Sequence, residues 1–343
     1  MTYRLTGFSV LLTVILVLAG CSGGGGTQSQ RGLERSDLTV AAVPTTDSTG
    51  LYVAMYEGLF AQQGLHITLQ PAISGEVAVN QLAFGKIDVL AGNYVSDIEA
   101  QINYDRGVRP VNVAMPSDTQ ISANLDVFAE ASVMQPGFVG LFTTPGSPIT
   151  SAADLKDKTI GLNAPGNVAY LLLASFMQEN GLQPPPLNSK LLRYYPFPNM
   201  EQALISHKIQ VAFLAEPFIS VAELTAGVPE LTDLDTGANT AFPIEGYAVT
   251  KQWARANPRT LAAFDRALQE GQQIASTNRQ IAELATEKYD LLPPNSAAEI
   301  ASVIQFESYP LGGVDIVRLQ RVADAMKQFG LIGSFNVKRL IGS

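Results

Sequence analysis

Residues 82–89 read Leu82-Ala83-Phe84-Gly85-Lys86-Ile87-Asp88-Val89, and residues 204–211 read Leu204-Ile205-Ser206-His207-Lys208-Ile209-Gln210-Val211. The octets share Leu, Lys, Ile and Val at the same places and set one polar residue, Asp88 or Gln210, before the last. Each reads as the end of a helix, a turn and the start of a buried strand. The segments ahead of them match too. Residues 38–43 form a strand-like run, 45–50 a loop rich in N-cap residues, 51–63 a helix with Leu51, Met55 and Leu59 on one face, and 65–69 an alternating strand. About 120 residues on, the order recurs: a strand at 159–162, a loop at 163–167, a helix at 168–180 stopped by Gly181, and a strand at 191–195. Strand–helix–strand units of this kind pair in parallel with a right-handed crossover. The chain is therefore expected to be an α/β protein of two lobes, each a mainly parallel sheet flanked by helices.

After Gly246 the pattern turns helical, with helices expected at 251–257, 258–273, 278–289, 296–304 and 314–329 and Pro258 in a first turn. The second repeat is complete by then, so these helices should pack on the first lobe. That path crosses between lobes twice, and two crossings make a hinge. The expected division is 37–136 plus 247–343 for lobe 1 and 137–246 for lobe 2. Ligands of such sheets bind beyond the carboxyl ends of the strands. Six loops would then line an inter-lobe cleft: 45–50, 74–76, 92–96, 163–168, 196–200 and 214–217.

Composition narrows the chemistry. Asp and Glu number 31 against 22 Lys and Arg, and no basic run occurs, which argues against a nucleic-acid partner. The one cysteine, Cys21, leaves no intrachain disulfide and no Cys-based metal site. His66 and His207 are far apart, and no His–carboxylate cluster has ligand spacing, so neither metal nor cofactor is expected. Residues 8–20 are an apolar run behind Arg4, long enough for a signal-peptide core and too short to span a membrane comfortably. Residues 23–30 are rich in Gly, Ser and Gln, the composition of a flexible tether.

Leu18-Ala19-Gly20-Cys21 resembles the lipobox of bacterial lipoproteins. The resemblance implies removal of residues 1–20, lipidation of Cys21, a tether over 21–36, and a place on the extracytoplasmic face of the cell membrane. Further segments resemble the solute-binding proteins of ABC importers, type II periplasmic-binding-protein fold, of the nitrate/sulfonate/taurine/thiamine-pyrimidine group. They are Glu57 to Thr68, Gln81 to Val89, Ser151 to Gly161 (with Asp157 where the family has glycine), Ala212 to Pro217, and Asn257-Pro258 ahead of Leu261 to Phe264. The likeness runs over roughly residues 37–290. It implies a monomeric binding protein, with no enzymatic activity, that closes on a small-molecule ligand and passes it to ABC permease subunits in the membrane. An enzyme on the same fold, of the pyrimidine- or menaquinone-biosynthesis type, is the alternative. The pyrimidine-forming relatives carry a cysteine-rich motif that this chain lacks, and both types are cytosolic. A ligand-sensing domain is a third reading.

The candidate ligand-binding residues are Asp47, Ser48, Thr49, Ser74, Gly75, Asn93 and Tyr94 from lobe 1, and Asn163, Asn167, Tyr195, Phe197 and Glu216 from lobe 2. Asp47, Ser48 and Thr49 equally suit N-capping of the first helix, and Tyr94, Tyr195 and Phe197 equally suit inter-lobe packing. Asp47 and Glu216 are expected on opposite walls, where a buried carboxylate needs an N–H donor or a cation. No Lys or Arg falls in the six loops. A nitrate or sulfonate could still be held by helix N-termini. The wall leans towards a flat, nitrogen-bearing ligand such as a pyrimidine.

Overall fold

The computed structural model describes residues 32–108 and 124–342. The leader 1–20, the lipidation site Cys21 and the tether up to residue 31 lie outside the described residues. From Leu33 onward the chain forms one unit. Among the described residues the strands, numbered along the chain, are β1 (Asp37–Ala42), β2 (His66–Pro71), β3 (Val89–Asn93), β4 (Leu125–Val133), β5 (Val139–Phe142), β6 (Ile160–Leu162), β7 (Leu192–Tyr194), β8 (Val211–Ala215), β9 (Glu230–Asp233) and β10 (Pro243–Thr250). The helices are α1 (Thr49–Tyr56), α2 (Leu59–Gln62), α3 (Gly75–Ala83), α4 (Tyr94–Asp105), α5 (Val168–Glu179), α6 (Phe197–Ile205), α7 (Phe218–Ala226), α8 (Lys251–Ala256), α9 (Pro258–Thr277), α10 (Arg279–Tyr289), α11 (Ala297–Val303) and α12 (Ile316–Gln328).

Two five-stranded sheets have matching orders, β2-β1-β3-β10-β4 and β7-β6-β8-β5-β9. In each, three strands of the repeat run parallel. The fourth strand, β10 or β5, is antiparallel to both its neighbours. Each sheet is therefore mixed, because the strands next to the crossings enter from the other lobe. Side chains of β1 alternate between two cores. Leu38, Val40 and Ala42 face α1, α9 and α10 with Leu51, Phe60 and Phe264, while Ala41 and Val43 join the core of α3, α4 and α12 with Val79, Ile98 and Leu319.

The octet repeat survives in atomic detail. Asp88 N–H donates to Thr39 O at 2.8 Å, and Asp88 Oδ2 accepts from Thr39 N–H at 2.9 Å. Gln210 N–H donates to Thr159 O at 2.9 Å, and Gln210 Oε1 accepts from Thr159 N–H at 3.1 Å. Both side chains close off the start of the neighbouring strand, so the variable position is structural. The turn ahead is left-handed in both copies: Gly85 has φ 65° and His207 has φ 57°. Asp157, where the resembled family has glycine, also has positive φ, at 61°. Asp reaches this conformation with less difficulty than most residues, through its short polar side chain.

Several expectations shift. The helix expected over 51–63 breaks at Gly58, with φ 70°, into α1 and α2. Residues 33–36, expected in the tether, are docked: the Glu34 carboxylate accepts from Arg259 N–H and Thr260 N–H at 3.1 and 2.9 Å, serving the first turn of α9 in place of an Asn257 side-chain cap. β10 begins at Pro243, inside the stretch assigned to lobe 2. Of the late helices, α9, α10 and α12 pack on the first lobe, but α11 also packs on α7 of the second, with Ile300 and Ala301 near Val221.

The hinge consequently has three members side by side. Met134 N–H donates to Phe242 O at 2.9 Å, joining the two crossings, and Val133 exchanges backbone bonds of 2.9 and 3.0 Å with Ser308 just beyond α11. Helix α12 is fixed to β4 by a bidentate pair, Arg318 Nε to Glu130 Oε1 at 3.0 Å and Arg318 Nη2 to Glu130 Oε2. Glu130 is buried, and Arg318 keeps 38% of its side chain in solvent.

Two predictions follow from these contacts. In urea unfolding, Gly85→Ala should lose about 1 kcal/mol, whereas Asp157→Gly and His207→Gly should lose nothing or gain. Arg318→Ala should cost about 2 kcal/mol, less than breaking a fully buried pair because Arg318 is partly solvated, and Glu130→Gln should restore part of that loss in the double variant.

Candidate functional site

Beyond the carboxyl ends of the strands, the two sheets enclose a cavity. The first lobe contributes Val43, Thr45 and Asp47 after β1, Asn93 at the end of β3, and Ile244 and Glu245 of β10. The second contributes Asn163, Val168 and Leu172, with Phe197, Phe213 and Ala215; Phe138 and Val139 of the first crossing complete it. The space open to the centres of water-sized spheres is about 40 Å³. That is room for roughly three waters, so the cleft is narrow in this form and a larger solute enters only when the lobes part further. Larger hollows lie on the surface, one beside Asp126 and Lys251 and one beside Leu155 and Leu191, but each belongs to a single lobe.

The floor is a buried turn. Residues 46–48 form one 3₁₀ turn, and their side chains donate or accept away from water. Asp47 Oδ2 accepts from Thr45 Oγ1 at 2.8 Å, and Asp47 Oδ1 accepts from Ser132 Oγ of β4. Ser48 Oγ donates to Glu245 Oε1 at 2.8 Å. Thr46 Oγ1 donates to Glu307 Oε1 at 3.0 Å, and Tyr309 Oη donates to Glu307 Oε2 at 2.9 Å. Ser48 holds the N-cap position of α1 without making a cap, because its hydroxyl is committed to Glu245, and Thr49 Oγ1 donates to Thr46 O. The capping role expected of Asp47, Ser48 or Thr49 is thus not taken up by their side chains.

The facing wall is aromatic. Phe197 stacks on Phe218 with ring centroids 5.4 Å apart and 14° between planes, and Phe213 backs it at 6.5 Å. Asn163 Oδ1 accepts from Asn167 Nδ2 at 2.7 Å, which turns Asn167 away from capping α5. Val168, the first residue of that helix, therefore faces the cavity with its turn uncapped by a side chain.

Asp47, Asn93, Asn163 and Phe197 are brought together around the cavity. The other candidates are not among its lining residues. Ser74 caps α3, accepting from Val77 N–H at 3.3 Å, and Gly75 packs so closely on Asn93 that a Cβ there would sit 2.3 Å from Asn93 Nδ2. Tyr94 is buried against Gly246, and Tyr195 is half-buried against the second lobe's core. Glu216 is no wall residue facing Asp47. Its carboxylate accepts from Ser220 N–H at 3.1 Å, Ser220 Oγ at 2.8 Å and Gln305 N–H at 3.1 Å, joining α7 to the segment after α11. Glu245 had no place among the candidates. Its signal was a lone carboxylate inside the apolar run Pro243-Ile244-Glu245-Gly246-Tyr247, read as ending a lobe when it is the middle of a strand.

The cavity and its surroundings are acidic. Among the described lining residues there is no Lys, Arg or His. Burial raises Asp47 to about 6 against the pull of its two hydroxyl donors. Burial, then the charge of Asp47, holds Glu245 and Glu307 well above the usual carboxylate range. Burial also raises Glu216 and Asp290 to about 7.

A model of the NMT1-like family matches residues 31–287. The chain is 23% identical over 299 residues to the bicarbonate transport ATP-binding protein CmpC of Synechocystis; the match takes in 85% of this chain and 40% of that protein, so the chain spans less than half its relative's length. Among solved structures, the alkanesulfonate-binding protein SsuA of Xanthomonas axonopodis pv. citri, bound to MOPS, superposes with TM-score 0.67 at 16% identity, over 90% of this chain and 98% of that one. The aliphatic sulphonate binding protein SsuA of Escherichia coli gives 0.64 at 18%, over 90% and 97%. The nitrate-binding protein NrtA of Synechocystis PCC 6803 gives 0.70 at 13%, over 90% and 85%. At these identities the structural likeness is one of fold.

The raised acids set a pH dependence. An acid with a higher pKa folded than unfolded holds its proton more tightly in the folded chain, so stability falls as pH rises from about 4 to about 7. The melting temperature should be higher at pH 5 than at pH 8 by about 4 °C or more, and Glu216→Gln should flatten the slope.

Proposed function

Because the chain belongs to the NMT1-like family, we propose that it is the extracytoplasmic solute-binding protein of an ABC importer, anchored through Cys21 and delivering its ligand to a membrane permease. The observation that carries this reading is the cavity itself. It is built from strand ends of two matched sheets, and three adjacent backbone segments hold those sheets along one side. Only a closed arrangement brings Asp47 and Phe197 to one solute, so the ligand stabilises closure by contacting both lobes at once. The fold neighbours named above bind sulfonates and nitrate, in keeping with solute capture. No described helix is long and apolar enough to cross a membrane, and the proposed anchor is the lipid on Cys21. A lipid tether would also raise the local concentration at the permease.

The test is a thermal-shift panel on the full chain with alkanesulfonates, taurine, nitrate, bicarbonate, pyrimidines, flavins and polyamines. A true ligand at a hundred times its Kd should stabilise by about 2.7 kcal/mol and be recovered unchanged. Chemical turnover of the stabilising compound would replace this reading with the enzymatic one, and no stabilisation across the panel would count against it.

A further inference from the structure

The named neighbours bind anions, yet this cavity presents two carboxylates and no cationic side chain among its described lining residues. Resting on the solute-capture reading above, we infer that the cleft takes a cationic solute, a small amine- or amidine-type monocation. Its N–H groups sit between Asp47 and Glu245 of the first lobe, and its body lies against Phe197 and Phe213 of the second.

Glu245 points to this most directly. It is 98% buried by its 2% exposure, it lines the cavity, and among the described residues only Ser48 donates to it, at Oε1. Oε2 is left to whatever enters. A carboxylate oxygen accepts and cannot donate when ionised, so the matching group is an N–H donor, and a charged donor makes the strongest bond. Asp47 lies beside it with both oxygens already accepting from hydroxyls, which keeps its charge in place and leaves a negative field over the same space.

The surroundings do not cancel that field. The groups near the pair from neighbouring elements are Glu307 beyond α11, Asp290 beyond α10, Asp97 of α4, and the neutral tyrosines Tyr52, Tyr94, Tyr247 and Tyr309. Among the described residues, the cation near this layer, Arg318, is bonded to Glu130. Two close carboxyls titrate as a coupled pair and do not both ionise readily, so one proton is retained until a cation enters. A monocation held between the two offsets the second ionisation, so the retained proton leaves to solvent and the occupied site keeps the net charge it had when empty. The opposite wall suits the rest of the solute. The Phe197–Phe218 stack offers a flat apolar face, and a cation's aryl or alkyl body buries there without an unmatched polar group.

The experiment uses two probes of one shape and opposite charge, benzamidine and benzoate, together with butylamine, nitrate, bicarbonate and ethanesulfonate. Each is titrated calorimetrically into the full chain at pH 5, 6.5 and 8, in two buffers of different ionisation enthalpy. Benzamidine should bind, should tighten about tenfold from pH 5 to pH 6.5, and should release protons near pH 6. Glu245→Gln and Asp47→Asn should each weaken it at least tenfold and abolish the proton release while keeping a cooperative melt. Benzoate or nitrate binding in preference, or anion binding that strengthens towards pH 5, would overturn the cationic assignment and leave solute capture standing. An unchanged benzamidine affinity in folded Glu245→Gln would overturn it as well. No heat from any probe would overturn it too, and solute capture would then be judged on the broader panel.

Discussion

The turn at Thr46–Ser48 has to satisfy every polar group it carries without water, and the architecture around the cleft follows from how it does so. Thr46 N–H donates across the cleft to Glu216 O at 3.2 Å, and its hydroxyl donates to Glu307 Oε1 at 3.0 Å. Asp47 takes a hydroxyl from β4, and Ser48 gives one to β10. Three consecutive residues therefore bond to the first sheet, the segment after α11 and the second lobe. An unpaired buried donor or acceptor costs about 1–3 kcal/mol, so these partners are placed together or the turn cannot be buried.

That arrangement carries an electrostatic cost. Asp47, Glu245, Glu307, Asp290 and Glu216 sit within one buried region, and the shifts all have the same sign and the same leading cause, loss of water. Hydroxyl donors lower the cost locally but do not supply countercharge. The contrast with Glu130 is instructive. It lies on the neighbouring strand β4, is as deeply buried, and is held bidentately by an arginine. The fold can thus bring a guanidinium to this layer, and among the described residues lining the cleft there is none.

The repeat was legible because its signals are local. Gly85 and His207 share a left-handed turn, Asp88 and Gln210 share a pair of backbone contacts, and neither depends on distant sequence. Asp47, Asn93, Asn163 and Phe197 were legible for a related reason: each follows a recognisable strand, and strand ends point into the crevice. What was not legible depends on the partner lobe. Glu245 lies in a strand that runs antiparallel into the first sheet from the crossing, so its position in the sheet cannot be read from the repeat. Ser132 and Glu130 sit in β4, outside both repeats. Glu216 was placed correctly at a strand end, but what it faces is decided by α7 and by Gln305, 89 residues away. Ser48 and Thr49 have the residue types of a helix cap, but the Ser48 hydroxyl goes to a tertiary acceptor, Glu245, and the Thr49 hydroxyl to the local carbonyl of Thr46.

The third hinge member has a mechanical meaning. A two-strand linkage leaves twisting and sliding comparatively free, whereas Val133–Ser308 pairing adds a parallel support offset from the two crossings. With α11 seated on α7 as well, the second lobe is braced along one margin, and closure of the kind proposed would swing about that margin like a book cover about its spine. Traffic into the cleft would then use the fore-edge, far from α11, and the residues that greet an arriving molecule first would be those most distant from the spine.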